Sequence, residues 1–375
     1  MSKSLYVAAA LALGASPALA NSVTYSSQEG VNSLYLQLQG VGNSVGAEAP
    51  AGASVNQNTG TWQSEKTKGF GNTTMNGRPV TDLRYFAYTN VTWAQTATST
   101  YPTDYSAAKQ VGDNNRVNAI QHGDRNTLNF SQGSDSAFEE TISRAAIDSD
   151  RVLDFKHGQA DDISLGRDLR AEAEYNREFG FTQTFSRGAV TTATGNLLDV
   201  DQYGDDNGAV INQLGDYNVA DLYQSGANNQ LDVMQAGDSS YLEANQIGVG
   251  NGMLVRQYST NTATLNQFGN DNFFEVYQGD VNGASAHAST VDVTTNGNEN
   301  TIHITQNGDY GGNSIVVTQD GNGNEVFSTQ SGSGSGITLL QDGNNNMFNA
   351  VQTSTMRQVQ VAMYGTGGNV YLTQR

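Results

Sequence analysis

A period of eleven residues runs through the second half of this chain and decides its architecture before any other feature is read. One clear unit is Asn218-Val-Ala-Asp-Leu-Tyr-Gln224-Ser-Gly226-Ala-Asn-Asn229: Asn, five residues, Gln, one residue, Gly, two residues, and the next Asn. From Thr191 to Gln374 the Gln place occurs 17 times, and 13 of the 16 intervals are eleven residues long. Thr191, Thr295 and Met363 are the three replacements of Gln. A helix completes three turns in about eleven residues, and a strand with its turn has the same length. Composition separates the two. Gly stands two residues after the Gln place in 12 units, and each Gly costs a helix about 1 kcal/mol relative to Ala. A helix does not survive that load. A turn uses it, because Gly reaches positive φ without strain and Asn tolerates it.

Between the turns the residues alternate. Asn229, Leu231, Val233 and Gln235 share one face, as do Asn272, Phe274, Val276 and Gln278, and Asn300, Ile302, Ile304 and Gln306. The sets Ser335/Ile337/Leu339/Gln341 and Asn346/Phe348/Ala350/Gln352 continue the pattern. Apolar centres with period two mark a strand with one buried face. Two units therefore make one coil of about 22 residues, and coils stack at about 4.8 Å, the spacing of neighbouring strands. The expected fold is an all-β solenoid of strand-turn-strand coils with two facing parallel sheets, their apolar pairs between them.

The inward amides then stand above one another from coil to coil. The expected ladder consists of Gln213, Gln224, Gln235, Gln246, Gln257, Gln267, Gln278, Gln306, Gln319, Gln330, Gln341, Gln352 and Gln374, with Asn207, Asn218, Asn229, Asn251, Asn272, Asn300, Asn313, Asn324 and Asn346. Stacked amides hydrogen-bond along the pile. This explains amides at inward positions, where an unpaired polar group costs about 1–3 kcal/mol.

Residues 1–20 read as a signal peptide. Lys3 supplies the positive end, Leu5 to Leu13 the apolar stretch, and Ala18-Leu-Ala20 the small-residue cleavage site, with cleavage after Ala20. The apolar stretch is too short to span a bilayer, so the mature chain is expected to leave the cytoplasm without a membrane span. Residues 21–103 form an irregular N-terminal segment. It has one repeat-like unit at Asn32/Leu34/Leu36/Leu38, with Leu38 in the Gln place. Trp62 and Trp93 lie in it, either packing a small β-cap, which is the favoured reading, or forming a recognition surface. The repeat is present at 104–132, through Gln110, Gln121 and Gln132 with Asn115 and Asn126.

The segment 133–190 breaks the rule and holds seven of the 18 basic residues. It reads either as a degenerate coil around Lys156-His-Gly158 or as a surface excursion with a helix at Asp168–Glu178. From 191 to 375 the solenoid runs on. Its largest insertion adds six residues between Gln278 and Thr295, in a turn, where extra length costs little. The final strand ends at Gln374, and an unprotected strand edge is a template for another chain.

The unit of Ser or Asn, five residues, Gln, one residue, Gly, two residues and Asn, then five more residues to another Gln, resembles the curlin repeat. Asn207 to Gln224 and Asn313 to Gln330 match it position by position. The resemblance covers 191–375 well and 104–132 fairly. It implies a secreted subunit of a curli-like amyloid fibre that serves adhesion and biofilm matrix. The implied partners are further copies of itself, a nucleator subunit and an outer-membrane secretion channel.

Chemistry is not expected. The four His, at 122, 157, 287 and 303, have no metal-ligand spacing, and the chain has no Cys. Gly248-Val-Gly250 and Gly321-Asn-Gly323 lead into strands, so the helix N-terminus of a phosphate site is missing. Asp205, Asp206, Asp216 and Asp238 lie at turns, where they read as turn formers rather than calcium ligands. No catalytic residue, cofactor or metal site is assigned. A net charge of −19 disfavours nucleic acid as a partner. The competing reading is a monomeric solenoid adhesin presenting a flat face to a sugar, ice or host surface. The varied outward residues, such as Asp232/Met234 and Glu275/Tyr277, argue against a lattice-matching face. Asp232, as an outward residue, is expected to tolerate substitution.

Overall fold

The computed structural model describes residues 21–28, 31–46, 108–133, 192–279, 288–307, 312–353 and 355–374. It also gives the backbone of the strands Tyr6–Leu11, Ala53–Met75, Arg78–Thr100, Phe138–His157, Leu169–Glu174 and Phe181–Arg187. The chain divides into two compact units. One comprises Met1–Ala51, Pro102–Phe138 and Arg187–Arg375, and the other Gly52–Tyr101 and Glu139–Ser186.

The first unit is a parallel β-solenoid. Sheet 1 runs in the order Tyr6–Leu11, Ser33–Gln39, Arg116–His122, Leu197–Asp205, Val219–Ala227, Tyr241–Val249, Thr262–Phe268, Thr290–Asn296, Ser314–Asp320, Gly336–Asp342 and Gln358–Tyr364. Sheet 2 continues from Ala108–Asp113 and Thr127–Gln132 through Gly208–Gln213, Gln230–Gln235, Gly252–Gln257, Phe273–Gln278, Thr301–Gln306, Glu325–Gln330 and Met347–Gln352 to Asn369–Gln374. At its start, Ser44–Val45 and Ala108–Asp113 together make one rung on Thr127–Gln132. Ser22–Val23 and Ser26–Gln28 make the rung beyond it.

Pairing is in register wherever the period holds: Gln213 lies on Gln235, and Gln235 on Gln257. This follows from the sequence, because a slip of one residue would turn every apolar pair outward. The expected pairs are buried, among them Leu231, Val233, Phe274, Val276, Ile302, Ile304, Ile337, Leu339, Phe348 and Ala350. They form one continuous apolar column between the sheets, reaching from Leu34 to Met363.

The turns differ from the expectation in one respect. The ladder Asn is not the left-handed residue; the residue before it is. Asp206, Tyr217, Asn228, Asp271, Glu299 and Asn345 all have φ between 54 and 59°, and Gly250 and Gly323 fill the same place elsewhere. The Gly two residues after Gln serves the turns that leave sheet 1. Gly226 has φ 118° there, and a Cβ on it would collide with the carbonyl oxygen of Gly248 one coil on.

The second unit is an antiparallel sheet. Ala53–Met75 pairs with Arg78–Thr100, which pairs with Phe138–His157, which pairs in turn with Leu169–Glu174. The segment 21–103 is thus divided: residues 22–45 supply strands of the solenoid and 53–100 two strands of the other sheet. Within 133–190 the structure has a 20-residue strand in place of a degenerate coil, and a strand at Leu169–Glu174 in place of a helix. The reason for the latter lies in the alternation of Leu169, Ala171 and Ala173 with Arg170, Glu172 and Glu174, which suits a strand. The insertion at 280–287, and Ala20 with its cleavage site, lie outside the described residues.

Candidate functional site

The regular coil places a Gln at the end of each strand and an Asn just before the next, and the in-register pairing brings each onto its counterpart in the neighbouring coil. In sheet 2, Gln110 Nε2 donates to Gln132 Oε1 at 2.7 Å, and Gln132 to Gln213 at 2.8 Å. The series continues from Gln213 through Gln235, Gln257, Gln278, Gln306, Gln330 and Gln352 to Gln374 at 2.7–3.2 Å. In sheet 1, Gln121, Gln202, Gln224, Gln246 and Gln267 are joined in the same way at 2.7–2.9 Å. Many of these Gln also reach across the core: Gln213 Nε2 donates to Leu197 O at 3.0 Å and Gln235 Nε2 to Val219 O at 3.0 Å. The amide thus ties neighbouring coils and the two sheets together.

The Asn series is built differently. The backbone N–H of Asn229 donates to Asn207 Oδ1 at 3.2 Å, and that of Asn251 to Asn229 Oδ1 at 3.1 Å. Asn207, Asn229, Asn251, Asn272, Asn300, Asn324 and Asn346 donate from Nδ2 to the turn Gly carbonyl of the next coil at 2.8–3.1 Å. Asn313 Nδ2 donates to Gly332 O at 2.7 Å. Asn218 Oδ1 accepts the N–H of Ser240 at 2.9 Å, while its Nδ2 has no partner. Every amide expected in the ladder is buried except Gln374, which is half-buried on the last strand of sheet 2.

Two consequences follow. The Gln ladders are polar, since in each Gln-to-Gln bond the residue of lower number is the donor. They are also unequal. Sheet 2 has Gln at each place from Gln110 to Gln374, whereas sheet 1 has Leu38, Thr295 and Met363 as substitutes. Thr295 Oγ1 keeps contact with Gln319 at 3.1 Å, and Gln319 donates to Gln341 at 2.7 Å. Gln341 Nε2 finds Met363 Sδ, a weak acceptor, at 3.7 Å. Beneath Leu38 the buried Gln121 Oε1 has no partner. At the start of sheet 2 the Tyr25 hydroxyl donates to Gln110 Oε1.

The turn carboxylates bond to backbone. Asp216 Oδ1 accepts the N–H of Thr194 at 2.8 Å, Asp238 Oδ1 that of Asp216 at 2.9 Å, and Asp205 Oδ1 that of Asp124 at 2.8 Å. Asp206 holds Arg125 through two bonds of 2.7 Å. Its hydrogen bond and charge place the Asp206 carboxyl below the ordinary range. Among the described residues, no three His, Cys, Asp or Glu are grouped to hold a metal ion, and no helix is long and apolar enough to cross a membrane.

On the outer face of sheet 1, Asp199, Asp221 and Glu243 stand in one column. Burial, followed by the charges of Asp199 and Glu243, pushes the Asp221 carboxyl above its ordinary value. Burial, Asp199 and Asp221 do the same to Asp201.

The outer face of sheet 2 holds what the sequence reading missed. Met234, Glu275, Tyr277 and His303 point away from the core and are nevertheless buried, at 1–3% exposure. The Tyr277 hydroxyl donates to Glu275 Oε1 at 2.7 Å, His303 Nδ1 meets Glu275 Oε2 at 2.5 Å, and Phe327 stacks on His303. Asp232 carries two bonds from the buried Arg256, at 2.9 and 3.1 Å. The expectation that Asp232 is a free outer residue is therefore corrected. The one sequence signal was Arg256, a lone base among amides and acids.

These features define a parallel β-solenoid whose rungs are joined by amide ladders. A family model for the Curlin associated repeat matches residues 193–226, the segment from Ala193 through the strand Leu197–Asp205 to Gly226. Those residues thus form a curlin-associated repeat. No curated protein matches it.

Proposed function

We propose that this chain is a structural subunit of an extracellular curli-like fibre. On this reading the leader is cleaved after Ala20, and residues 21–375 pass the periplasm and an outer-membrane channel. Copies then stack end to end outside the cell, building matrix and supporting adhesion, with a nucleator subunit as a further partner. The observation that carries this reading is the ladder of the solenoid. Its Gln-to-Gln bonds all run in one direction, from Gln110 to Gln374, and among the described residues the strands Gln358–Tyr364 and Asn369–Gln374 present edges whose apolar residues, Val359, Val361, Val370 and Leu372, are only partly buried. Such an edge pairs with another chain, and a polar stack favours head-to-tail addition, which runs on as a filament where it does not close. The residues that would act are the inward amides and apolar pairs, and no catalysis is assigned.

The test is refolding of 21–375 from denaturant at several concentrations, followed by thioflavin fluorescence and electron microscopy. A lag that shortens with concentration and with added seeds, ending in filaments, is the expected result. A stable β-rich monomer at all concentrations would refute fibre assembly and leave the adhesin as the better account.

A further inference from the structure

The two outer faces of the solenoid differ. On sheet 2 the outward Met234, Arg256, Glu275, Tyr277 and His303 are buried, at 1–3% exposure. On sheet 1 none of the outward residues from Arg116 to Thr318 is buried. We infer that this uncovered face docks an extended basic peptide, with arginines at alternate positions, lying along the strands Leu197–Asp205, Val219–Ala227 and Tyr241–Val249. The inference goes beyond the fibre reading, because it concerns the side of the solenoid and holds for a single copy and a filament alike.

Charge decides which partner fits. The outward residues from Arg116 to Thr318 include the carboxylates of Asp199, Asp201, Asp221, Glu243 and Asp292, against the guanidinium of Arg116 and the imidazole of His122. Asp199, Asp221 and Glu243 stand in register on adjacent strands, about 4.8 Å from rung to rung. Asp201 follows Asp199 on the same face, about 6.6 Å along the strand. Among the described residues no base pairs with any of these four. Asp199 accepts a bond from Asn118 Nδ2 at 3.4 Å, and Glu243 one from the Tyr241 hydroxyl at 3.3 Å. Burial, and then the neighbouring acids, push the Asp201 and Asp221 carboxyls up. A cationic partner laid over the column offsets that repulsion.

The rings beside the carboxylates select arginine among cations. Tyr223 lies in register on Asp201. Its ring centroid is 5.7 Å from that of Tyr203, which in turn is 6.0 Å from His122. A row of rings thus crosses three adjacent strands alongside the acidic column, and Tyr241, 39% exposed, borders its other side. A guanidinium is planar, pairs with a carboxylate through two N–H groups and stacks on an aromatic face. Such a face attracts a cation within about 6 Å. An extended peptide supplies the spacing. Every second side chain points to one side of it, about 6.6–6.8 Å apart, which is the interval from Asp199 to Asp201. A peptide held in this way rests on outward side chains and leaves the amide ladders and the strand edges untouched.

The probe is a fluorescent peptide alternating Arg and Thr, titrated into the full chain and followed by anisotropy. Saturable binding that weakens with added salt is expected. D199N/D221N/E243Q should weaken it about tenfold, the sum of three exposed ion pairs. The control D238N/D271N/E299Q removes the same charge from exposed turn residues and should change the affinity less than about twofold. Y203L/Y223L should weaken the Arg peptide about threefold and a Lys-Thr peptide less, because Lys lacks the planar group that stacks on a ring. The carboxylate variant relieves repulsion and is expected to keep the fold, which far-UV circular dichroism checks.

Equal affinities of the two triple variants would place the peptide elsewhere on the acidic surface and overturn the inference. So would the lack of saturable binding to the parent chain. Complete displacement of the peptide by calcium, or by a glucosamine oligomer carrying the same charge, would overturn it too, by making the face one for a metal ion or a cationic sugar. Binding is read on unassembled chains and on filaments alike, so a failure to form filaments refutes the fibre reading and leaves this docking face standing.

Discussion

Replacement of Gln235 by Leu isolates the contribution of one ladder amide. Gln235 is fully buried. It accepts from Gln213 Nε2 at 2.9 Å and donates to Gln257 Oε1 and Val219 O at 3.0 Å each. In Q235L, Gln213 Nε2 keeps its bonds to Leu197 O and Asn218 O, at 3.0 and 3.3 Å. Gln257 Oε1 loses the donor of its ladder bond, which costs about 1–3 kcal/mol for a buried acceptor. The lost bond to Val219 O adds about 1 kcal/mol, and the greater apolar character of Leu returns about the same, near the value of one buried methylene. The net expectation is a loss of about 2 kcal/mol. The assay is guanidinium unfolding followed by far-UV circular dichroism, with Q230L as the control. Gln230 is exposed and its nearest acceptor, Asp206 O, is 3.5 Å away, so its loss should cost less than about 0.5 kcal/mol. Equal midpoints for the two variants would refute the ladder argument. Gln121 already shows the local outcome, since its Oε1 lies buried and unpartnered beneath Leu38.

Three further expectations concern other parts of the coil. Ala at Gly226 must take φ 118° and press its Cβ on the Gly248 carbonyl; a loss of more than about 1 kcal/mol in the same assay is expected. D232N removes the carboxylate that pairs with Arg256, whose side chain is 3% exposed; because Asp232 itself is 27% exposed, the loss should be about 1–3 kcal/mol, below the range for a fully buried pair, and a variant as stable as the parent would show that the pair carries no weight. The column of Asp199, Asp221 and Glu243 makes stability depend on pH. Asp201 and Asp221 have raised values in the folded chain, so their favourable contribution is full below the unfolded carboxylate value and is lost as pH rises through the folded one. The melting temperature should therefore fall between mildly acidic and neutral pH more steeply in the parent than in D221N, and identical slopes would contradict this.

The solenoid was legible because three signals coincide at each unit. Asn229, Leu231, Val233 and Gln235 alternate as a strand must, Gly226 and Asn228 supply the turn, and the next unit repeats them at the same spacing. Register needed no further information, since any slip would expose Leu231 and Val233. The amide ladder followed from the same reasoning. Burial of the outer face of sheet 2 did not. Met234 and Tyr277 occupy outward places, and a local pattern states which way a side chain points, not whether something lies on it. The antiparallel unit was illegible for a different reason. Its strands Ala53–Met75, Arg78–Thr100 and Phe138–His157 have no repeat, and the last pairs across more than 35 intervening residues. At Leu169–Glu174 a charged, alanine-containing stretch satisfies helix propensity and strand alternation alike, and pairing with Phe138–His157 selects the strand.

The central claim is that a solenoid held by in-register ladders continues from one copy to the next. Diffraction from oriented filaments of 21–375 tests it most directly. The account predicts a meridional reflection at about 4.7–4.8 Å from strands stacked along the filament and an equatorial one near 10 Å from the two facing sheets. Filaments whose strand-spacing reflection lies on the equator, with strands running along the axis, would contradict it.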